Sequence, residues 1–448
     1  MLDMHTRLLA RGLFLIMVAS VATACGSPSL TSTPASSESA SASPGASAAV
    51  SPSGSGPIGS PSASLLPTPD ASVDQATYAR IETQVEQLRQ LSPKSTVTPI
   101  LLDEQGVRDW MTKATQTGVD HQALAAESRL LIHLGMLPAG SSIEQLELDL
   151  NAGQAIGFYD PDSKGLYLLS TSGSVGPEEQ LTFSHEFTHA LQDQNFGLDK
   201  LAIDTPDQGD RDLAHTALPE GDATLSMTQW AEANMSILDL LSVSVSAGSG
   251  PQADQLAKAP AILREDLDFP YLDGLTFVEG IYAQGGWAAV DKLYANPPNS
   301  TSEILHPDLY AKGFEPVNPT LAAVPATLGP GWTAAIQDTL GELQLRVWLE
   351  GEHPTAASKQ VADAAAAQWA GDRVGLYEGP NGAWAVVLRT QWRSPAGRAA
   401  FVAAANGPPL VRAPGPHYLV CEDALQADIY IGSDDATVSS FAPCQPAT

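Results

Sequence analysis

The run His185-Glu186-Phe187-Thr188-His189 constrains this chain more than any other feature, because it has the HExxH spacing. It follows Gly176-Pro177-Glu178-Glu179, and a proline followed by acids is typical of the start of a helix. Residues four apart lie on one face of a helix, so both imidazoles can reach one ion while Glu186 projects beside them. We therefore predict a zinc-binding helix in which His185 and His189 are ligands and Glu186 is the general base for a water molecule.

A catalytic zinc ion takes three protein ligands and leaves one position open for water, so a third ligand must come from elsewhere in the chain. The metzincin pattern would place a glycine and a histidine at the third and sixth positions after His189. Gln192 and Asn195 stand there, which excludes that class. The gluzincin pattern takes a glutamate from a second helix, and Glu220 fits because it lies 31 residues (220 minus 189) beyond His189. We predict that Glu220 begins a helix that runs to about Trp230.

Three rivals for the third ligand remain open at this stage, namely Asp193, His215 and Asp222. Asp193 lies four residues after His189, and we interpret it as a hydrogen-bonding partner that orients this histidine. His215 is expected in a loop, and Asp222 is expected to point away from the site because it is two residues from Glu220.

The words around the motif carry a family resemblance. HEFTH continues into Ala190-Leu191-Gln192-Asp193-Gln194, and EGDA follows at residues 220–223. The chain resembles bacterial zincin-like metallopeptidases of gluzincin type over roughly residues 95–310. The resemblance also includes GFYDP at 157–161, QGGW at 284–287, and PPNST through HP at 297–307. The resemblance implies zinc, a water nucleophile and peptide-bond hydrolysis. Thermolysin-like members carry an asparagine before the downstream glutamate and an aspartate four residues after it, whereas this chain has Pro219 and Thr224.

No motif identifies a group that would stabilise the transition state. His306 is the candidate oxyanion donor, and Tyr282 and Tyr310 are weaker candidates. The alternative for His306 is a structural histidine that bonds loop backbone.

The N-terminus has the pattern of a secreted lipoprotein. Residues 1–24 combine Arg7 and Arg11 with a short apolar run and a small-residue cleavage site, which predicts a signal peptide. Cys25 follows directly and resembles a lipobox cysteine, so we expect lipidation there and attachment to the outer face of the cell membrane. Residues 25–75 are mostly Ser, Pro, Ala, Gly and Thr, which predicts a disordered stalk. The net charge of −29 argues against nucleic acid as a partner.

The fold class expected is α+β, with a mostly helical zincin-like domain at 76–315 and a C-terminal α+β module at 316–448. Before the motif the pattern predicts helices at 78–91, 104–116 and 121–137, a strand at 95–102 and a hairpin at 155–169. After residue 331 it predicts helices at 332–349, 355–369 and 394–405 and strands at 374–378, 384–392, 417–422 and 427–431. Cys421 and Cys444 are expected to form a disulfide, since secreted proteins favour it.

The leading hypothesis is a zinc peptidase that acts on a peptide or protein substrate. The alternatives are a non-catalytic zinc-binding surface lipoprotein that binds peptide or cell-wall material, and an interaction protein with a structural metal site. The intact Glu186 favours catalysis, and a coordination position left open would argue against a structural site.

Overall fold

The computed structural model of the chain describes residues 14–15, 71–116, 120–154, 157–169, 175–203, 205–247, 251–420 and 423–441. The predicted signal peptide lies outside these residues apart from Phe14–Leu15. The predicted lipidation site Cys25, the stalk up to residue 70, and the predicted disulfide pair Cys421 and Cys444 also lie outside them. The predicted stalk is too long at its C-terminal end, because a helix already begins at Ala71.

The fold class is α+β, as predicted, and helices predominate before residue 330. The first described element in sequence is a two-residue strand, β1 (Phe14–Leu15). The elements from residue 71 to the motif are α1 (Ala71–Arg89), β2 (Pro99–Leu102), α2 (Glu104–Gln116), α3 (His121–Leu134), α4 (Ile143–Gln154), β3 (Gly157–Asp160) and β4 (Gly165–Leu169). The motif helix and its successors are α5 (Pro177–Phe196), a 3-10 turn (Leu198–Leu201), α6 (Gly209–Asn234), α7 (Ile237–Ala247), α8 (Pro251–Lys258), α9 (Ala261–Gly285), α10 (Trp287–Leu293), α11 (Thr301–Leu305), α12 (Pro307–Ala311) and α13 (Val324–Leu328).

The C-terminal part is built on a second sheet. Its elements are β5 (Thr333–Asp338), α14 (Gly341–Glu350), α15 (Ala356–Ala366), β6 (Trp369–Glu378), a 3-10 turn (Pro380–Gly382), β7 (Trp384–Trp392), α16 (Pro395–Ala405), α17 (Pro408–Arg412), β8 (His417–Val420), β9 (Gln426–Gly432) and α18 (Asp435–Ser439). The five strands pair antiparallel in the order β5-β6-β7-β9-β8.

The first sheet lies next to the motif helix. Its order is β1-β3-β4-β2, in which β3 and β4 form the predicted hairpin and β2 pairs parallel with β4. In the hairpin turn the Asp160 carboxylate accepts a hydrogen bond from the backbone N–H of Asp162 at 3.1 Å. Lys164 has a left-handed backbone conformation there, with a φ of 56°. Strand β2 is shorter than predicted, since it begins at Pro99 rather than at Ser95.

Two predictions about helices are wrong. Residues 332–349 form strand β5 and then α14, which begins at Gly341 with a φ of 72°, because residues 333–338 pair with β6. The second error concerns Glu220, which lies in the middle of α6 rather than at a helix start. Pro219 has no N–H for an intrahelical bond, yet Ala217, Leu218 and Ala223 around it are fully buried, so packing keeps the helix continuous.

The motif helix α5 belongs to one hydrophobic core, and its neighbour α6 contributes to that core and to a second one. One core combines α1, the β3–β4 hairpin, α5 and the C-terminal end of α6, and the other combines α6, α9 and α10. All thirteen residues from Leu181 to Asp193 are buried, so α5 is enclosed on every side. A third core joins leucines of α3 and α4 to the C-terminal sheet, so residues on both sides of position 315 share one interior.

Candidate metal centre

Helices α5 and α6 bring the predicted ligands together. The Nε2 atoms of His185 and His189 lie 2.9 Å apart, and the Glu220 Oε2 atom lies 3.1 Å from the first and 3.4 Å from the second. The three side chains are buried, and their ligand atoms converge on one point. Two imidazole nitrogens and a carboxylate gathered without solvent form a group that could hold a metal ion.

Two neighbours orient the converging atoms. The Gln192 amide oxygen lies 2.8 Å from His189 Nδ1, and the Gln192 amide nitrogen donates to the backbone carbonyl of Pro219 at 3.0 Å. When His189 Nδ1 donates to Gln192, its Nε2 lone pair faces the centre. The second oxygen of Glu220, Oε1, accepts from the Tyr271 hydroxyl of α9 at 3.2 Å, which leaves Oε2 for the ion.

Burial sets the protonation of these ligands. It lowers the pKa of His185 to about 4, because the effect of burial outweighs the opposing hydrogen bond to the Glu220 carboxylate, and the ring stays neutral. Burial would raise the pKa of Glu220, but the contacts with His189 and His185 outweigh it, so the net pKa lies below the ordinary value. A neutral imidazole and an ionised carboxylate are the forms that bind a metal ion.

Glu186 is the unsatisfied member of the site. Both of its carboxylate oxygens are buried, and within the described part of the chain neither makes a hydrogen bond of normal geometry. Burial and then the charge of Glu220 raise the pKa of Glu186 well above its usual range, while the Tyr159 backbone N–H in β3 opposes the rise. A buried carboxylate with free oxygens beside a metal group is suited to receive a proton from water.

A close helix crossing holds Glu220 in place. A Cβ added at Gly221 would lie 2.2 Å from the backbone oxygen of Gly274, so α6 and α9 touch backbone to backbone there. Asp222 points to the other side, as predicted, and binds the fully buried Arg89 of α1 at 2.6 and 2.9 Å. The EGDA segment therefore combines a ligand, a close approach and a buried ion pair in three consecutive residues.

Other predicted residues lie in other contacts. Asp193 bonds the Tyr159 hydroxyl at 2.8 Å and the Lys164 ammonium at 2.7 Å, which joins the end of α5 to the hairpin. The predicted role of orienting His189 therefore belongs to Gln192 rather than to Asp193, because at i+3 its amide meets Nδ1. His215 is buried within α6, not in a loop, and its Nδ1 contacts the backbone carbonyl of Leu201.

His306 belongs to a different set of contacts from the ligand group. Its Nε2 lies 2.7 Å from a carboxylate oxygen of Glu342 in α14, and that contact raises its pKa. The contact is with a carboxylate on a helix, so it differs from the loop-backbone bond of the alternative interpretation, and it offers no support for an oxyanion donor. The weaker candidates also have structural contacts: the Tyr282 ring packs on Trp287, and the Tyr310 hydroxyl donates to the carbonyl of Asn296 at 2.7 Å.

Sequence reasoning missed Gln192, Tyr271 and Arg89. Gln192 was identifiable in principle, because position i+3 from His189 is on the same face of the helix as position i+4. Tyr271 and Arg89 have no local signal, since they reach the site from helices distant in sequence.

Comparisons with known proteins add one finding. A family model described as a domain of unknown function (DUF8575) matches residues 332–438, which extend from just before β5 into α18. The metal group lies outside the matched residues. No curated protein and no solved structure matches the chain.

Proposed function

We propose that this protein is a zinc-dependent peptidase of gluzincin type, in which His185, His189 and Glu220 hold the zinc ion and Glu186 is the general base. The observation that carries the proposal is a buried group of three candidate ligands next to the buried Glu186 carboxylate, whose oxygens make no hydrogen bond of normal geometry in the described part of the chain. A structural zinc site normally has four protein ligands, and this group has three among the described residues.

The separations of the ligand atoms fit zinc. Tetrahedral ligands about 2.0–2.2 Å from one ion are about 3.3–3.6 Å from each other. The observed separation of 3.4 Å lies in that range, and those of 2.9 and 3.1 Å are shorter by a few tenths of an ångström, which small side-chain rotations would supply. The donor set of two imidazoles and a carboxylate is also one that catalytic zinc sites use.

The chain's own residues would divide the chemistry among them. A zinc ion in this group supplies Lewis acidity, which makes water more acidic and polarises the carbonyl of the scissile bond. Glu186 takes a proton from the attacking water and returns it to the leaving amine, since among the described residues its oxygens make no hydrogen bond of normal geometry. Gln192 keeps His189 in the required tautomer, and Tyr271 holds the position of Glu220.

The proposed location is the outer face of the cell membrane, with the lipid on Cys25. The support is the sequence pattern of residues 1–25 and the low-complexity segment that follows. Within the described ranges, no helix combines the length and the apolar character that crossing a bilayer requires.

The test separates metal binding from hydrolysis. Glu186→Gln should keep about one zinc per chain by elemental analysis and lose cleavage of a quenched fluorescent peptide library, because only the proton acceptor is removed. His189→Ala should lose both properties. Glu179→Gln, on the first turn of the same helix, is the matched control and should retain both. Undiminished peptide cleavage by Glu186→Gln would refute the mechanism, and a protein with bound zinc but no cleavage of any peptide would support the non-catalytic alternative.

A further inference from the structure

Helix α7 exposes a stripe of aliphatic side chains. Ile237, Leu238, Leu241 and Val245 are 78%, 73%, 59% and 62% exposed. At 100° per residue these positions fall within about a third of the helix circumference, so they form one continuous stripe. Among the described residues, eleven large apolar side chains are exposed, and four of them lie on α7.

The opposite face of α7 is fixed to the body of the protein. Val243 is buried, and Leu240 packs beside it in the core that contains Phe183 of the motif helix. The helix start is also ordered, because Ser236 and Asp239 exchange hydrogen bonds from backbone N–H to side chain, both at 3.2 Å. The stripe is thus held outward by a well-packed helix and does not result from a loose segment.

The chemistry of the stripe suits hydrocarbon. Serines border it at positions 242, 244 and 246, and charged side chains are absent from the stripe itself. At about 1.5 Å per residue the helix is about 16 Å long, which is too short to cross a bilayer but long enough to lie in its surface layer. Because the chain has a net charge of −29, a neutral lipid surface is favoured over an anionic one.

α7 and the first helix, α1, both contact the N-terminal half of the motif helix. The Ser246 hydroxyl, in the last turn of α7, donates to Glu178 at 3.4 Å, and Tyr78 of α1 packs on Phe183 with ring centroids 4.6 Å apart. Both contacts are with the N-terminal half of α5, so α7 lies close to the place where the chain enters the folded body. The chain has 46 residues (71 minus 25) from the predicted lipid at Cys25 to Ala71, which is enough covalent length to reach a membrane that α7 contacts.

We propose that α7 is a membrane-docking helix whose apolar stripe enters the surface layer of a neutral lipid membrane beside the protein's own tether. The tether raises the local concentration of the membrane and so adds to the affinity that the four aliphatic side chains supply by themselves. Docking would fix the orientation of the metal centre relative to the membrane, because α7 shares a core with the motif helix. The proposal rests on the proposed lipid at Cys25, and it is independent of zinc and of hydrolysis.

Vesicle flotation tests the proposal on a chain that begins at Gly26. This chain lacks the apolar N-terminal segment and β1 but keeps every core residue for which the structure describes burial, since those lie between Tyr78 and Phe441. It should float with phosphatidylcholine vesicles, and 30% phosphatidylglycerol should weaken the binding at low salt. Leu238→Asp/Leu241→Asp should reduce partitioning at least tenfold. Val361→Asp/Val411→Asp, at two equally exposed valines in other helices, should change it less than twofold.

A second stripe variant controls for misfolding. Ile237→Ser/Val245→Ser should also reduce partitioning at least tenfold, with an unchanged thermal unfolding midpoint. Equal flotation of the parent and both stripe variants would overturn the proposal, as would a parent chain that stays unbound. A concentration-dependent dimer that the stripe variants abolish in the absence of lipid would show that the stripe is a self-association surface, and would overturn it as well. None of these readouts depends on peptide cleavage, so their failure is distinguishable from failure of the peptidase proposal.

Discussion

Tyr271→Phe is the most informative single change at the metal centre. It removes the hydroxyl that donates to Glu220 Oε1 at 3.2 Å and keeps the ring, which packs 6.2 Å from the His185 ring. Hydrogen bonds to charged groups contribute about 1.5–3 kcal/mol, and loss of a residue that orients a metal ligand typically lowers metal affinity about 10–100-fold. A 10–100-fold loss equals about 1.4–2.7 kcal/mol, so the two routes to the magnitude agree. We therefore expect the zinc dissociation constant to rise by one to two orders of magnitude.

The assay is competition for zinc with a chromophoric chelator at fixed pH, followed by thermal unfolding of the metal-free protein. Tyr282→Phe is the matched control, because it lies on the same helix and its ring packs against Trp287. The control should bind zinc within twofold of the parent protein. If Tyr271→Phe binds zinc as tightly as the control does, the Tyr271 hydroxyl does not position Glu220, and the explanation of why Oε2 is the ligand atom is wrong.

Three further predictions concern the surroundings of the site. Gln192→Ala should weaken zinc binding about 10–100-fold, because His189 loses the partner that selects its tautomer; chelator competition measures this. Gly221→Ala should lower the free energy of unfolding by about 1–3 kcal/mol, since its Cβ would collide with the Gly274 carbonyl. Urea unfolding measures this change, and an unchanged midpoint would contradict the close crossing of α6 and α9. Burial raises the pKa of Asp210 to about 8, so the native protein retains a proton that the unfolded chain releases near pH 4. Stability should therefore fall as pH rises from about 4 to 8, and Asp210→Asn should make that decline shallower in urea unfolding at several pH values.

The motif helix and its ligands were predictable from local patterns. Pro177 and the acids after it mark the start of α5, and the i to i+4 spacing places His185 and His189 on one face. The hairpin before the motif was equally visible, because Asp160 and the residues after it form a turn whose geometry depends on neighbours in sequence.

Elements whose state depends on distant partners were predicted less well. Residues 332–349 have a helical composition but begin as a strand, because β6 offers them a ladder of backbone hydrogen bonds. Pro219 suggested a helix boundary, yet α6 runs through it because both halves are buried against α5 and α9.

The sequence by itself determined which residue types could bind a metal ion and on which helix two of them lie, because helical periodicity is a local property. Only the tertiary structure decided that Glu220 completes the group, that Gln192 rather than Asp193 orients His189, and that Tyr271 holds the remaining oxygen of Glu220. The physical reason is that these contacts depend on the crossing of α5, α6 and α9. That crossing is set by burial of side chains and by the close approach at Gly221, which no local pattern in the chain encodes.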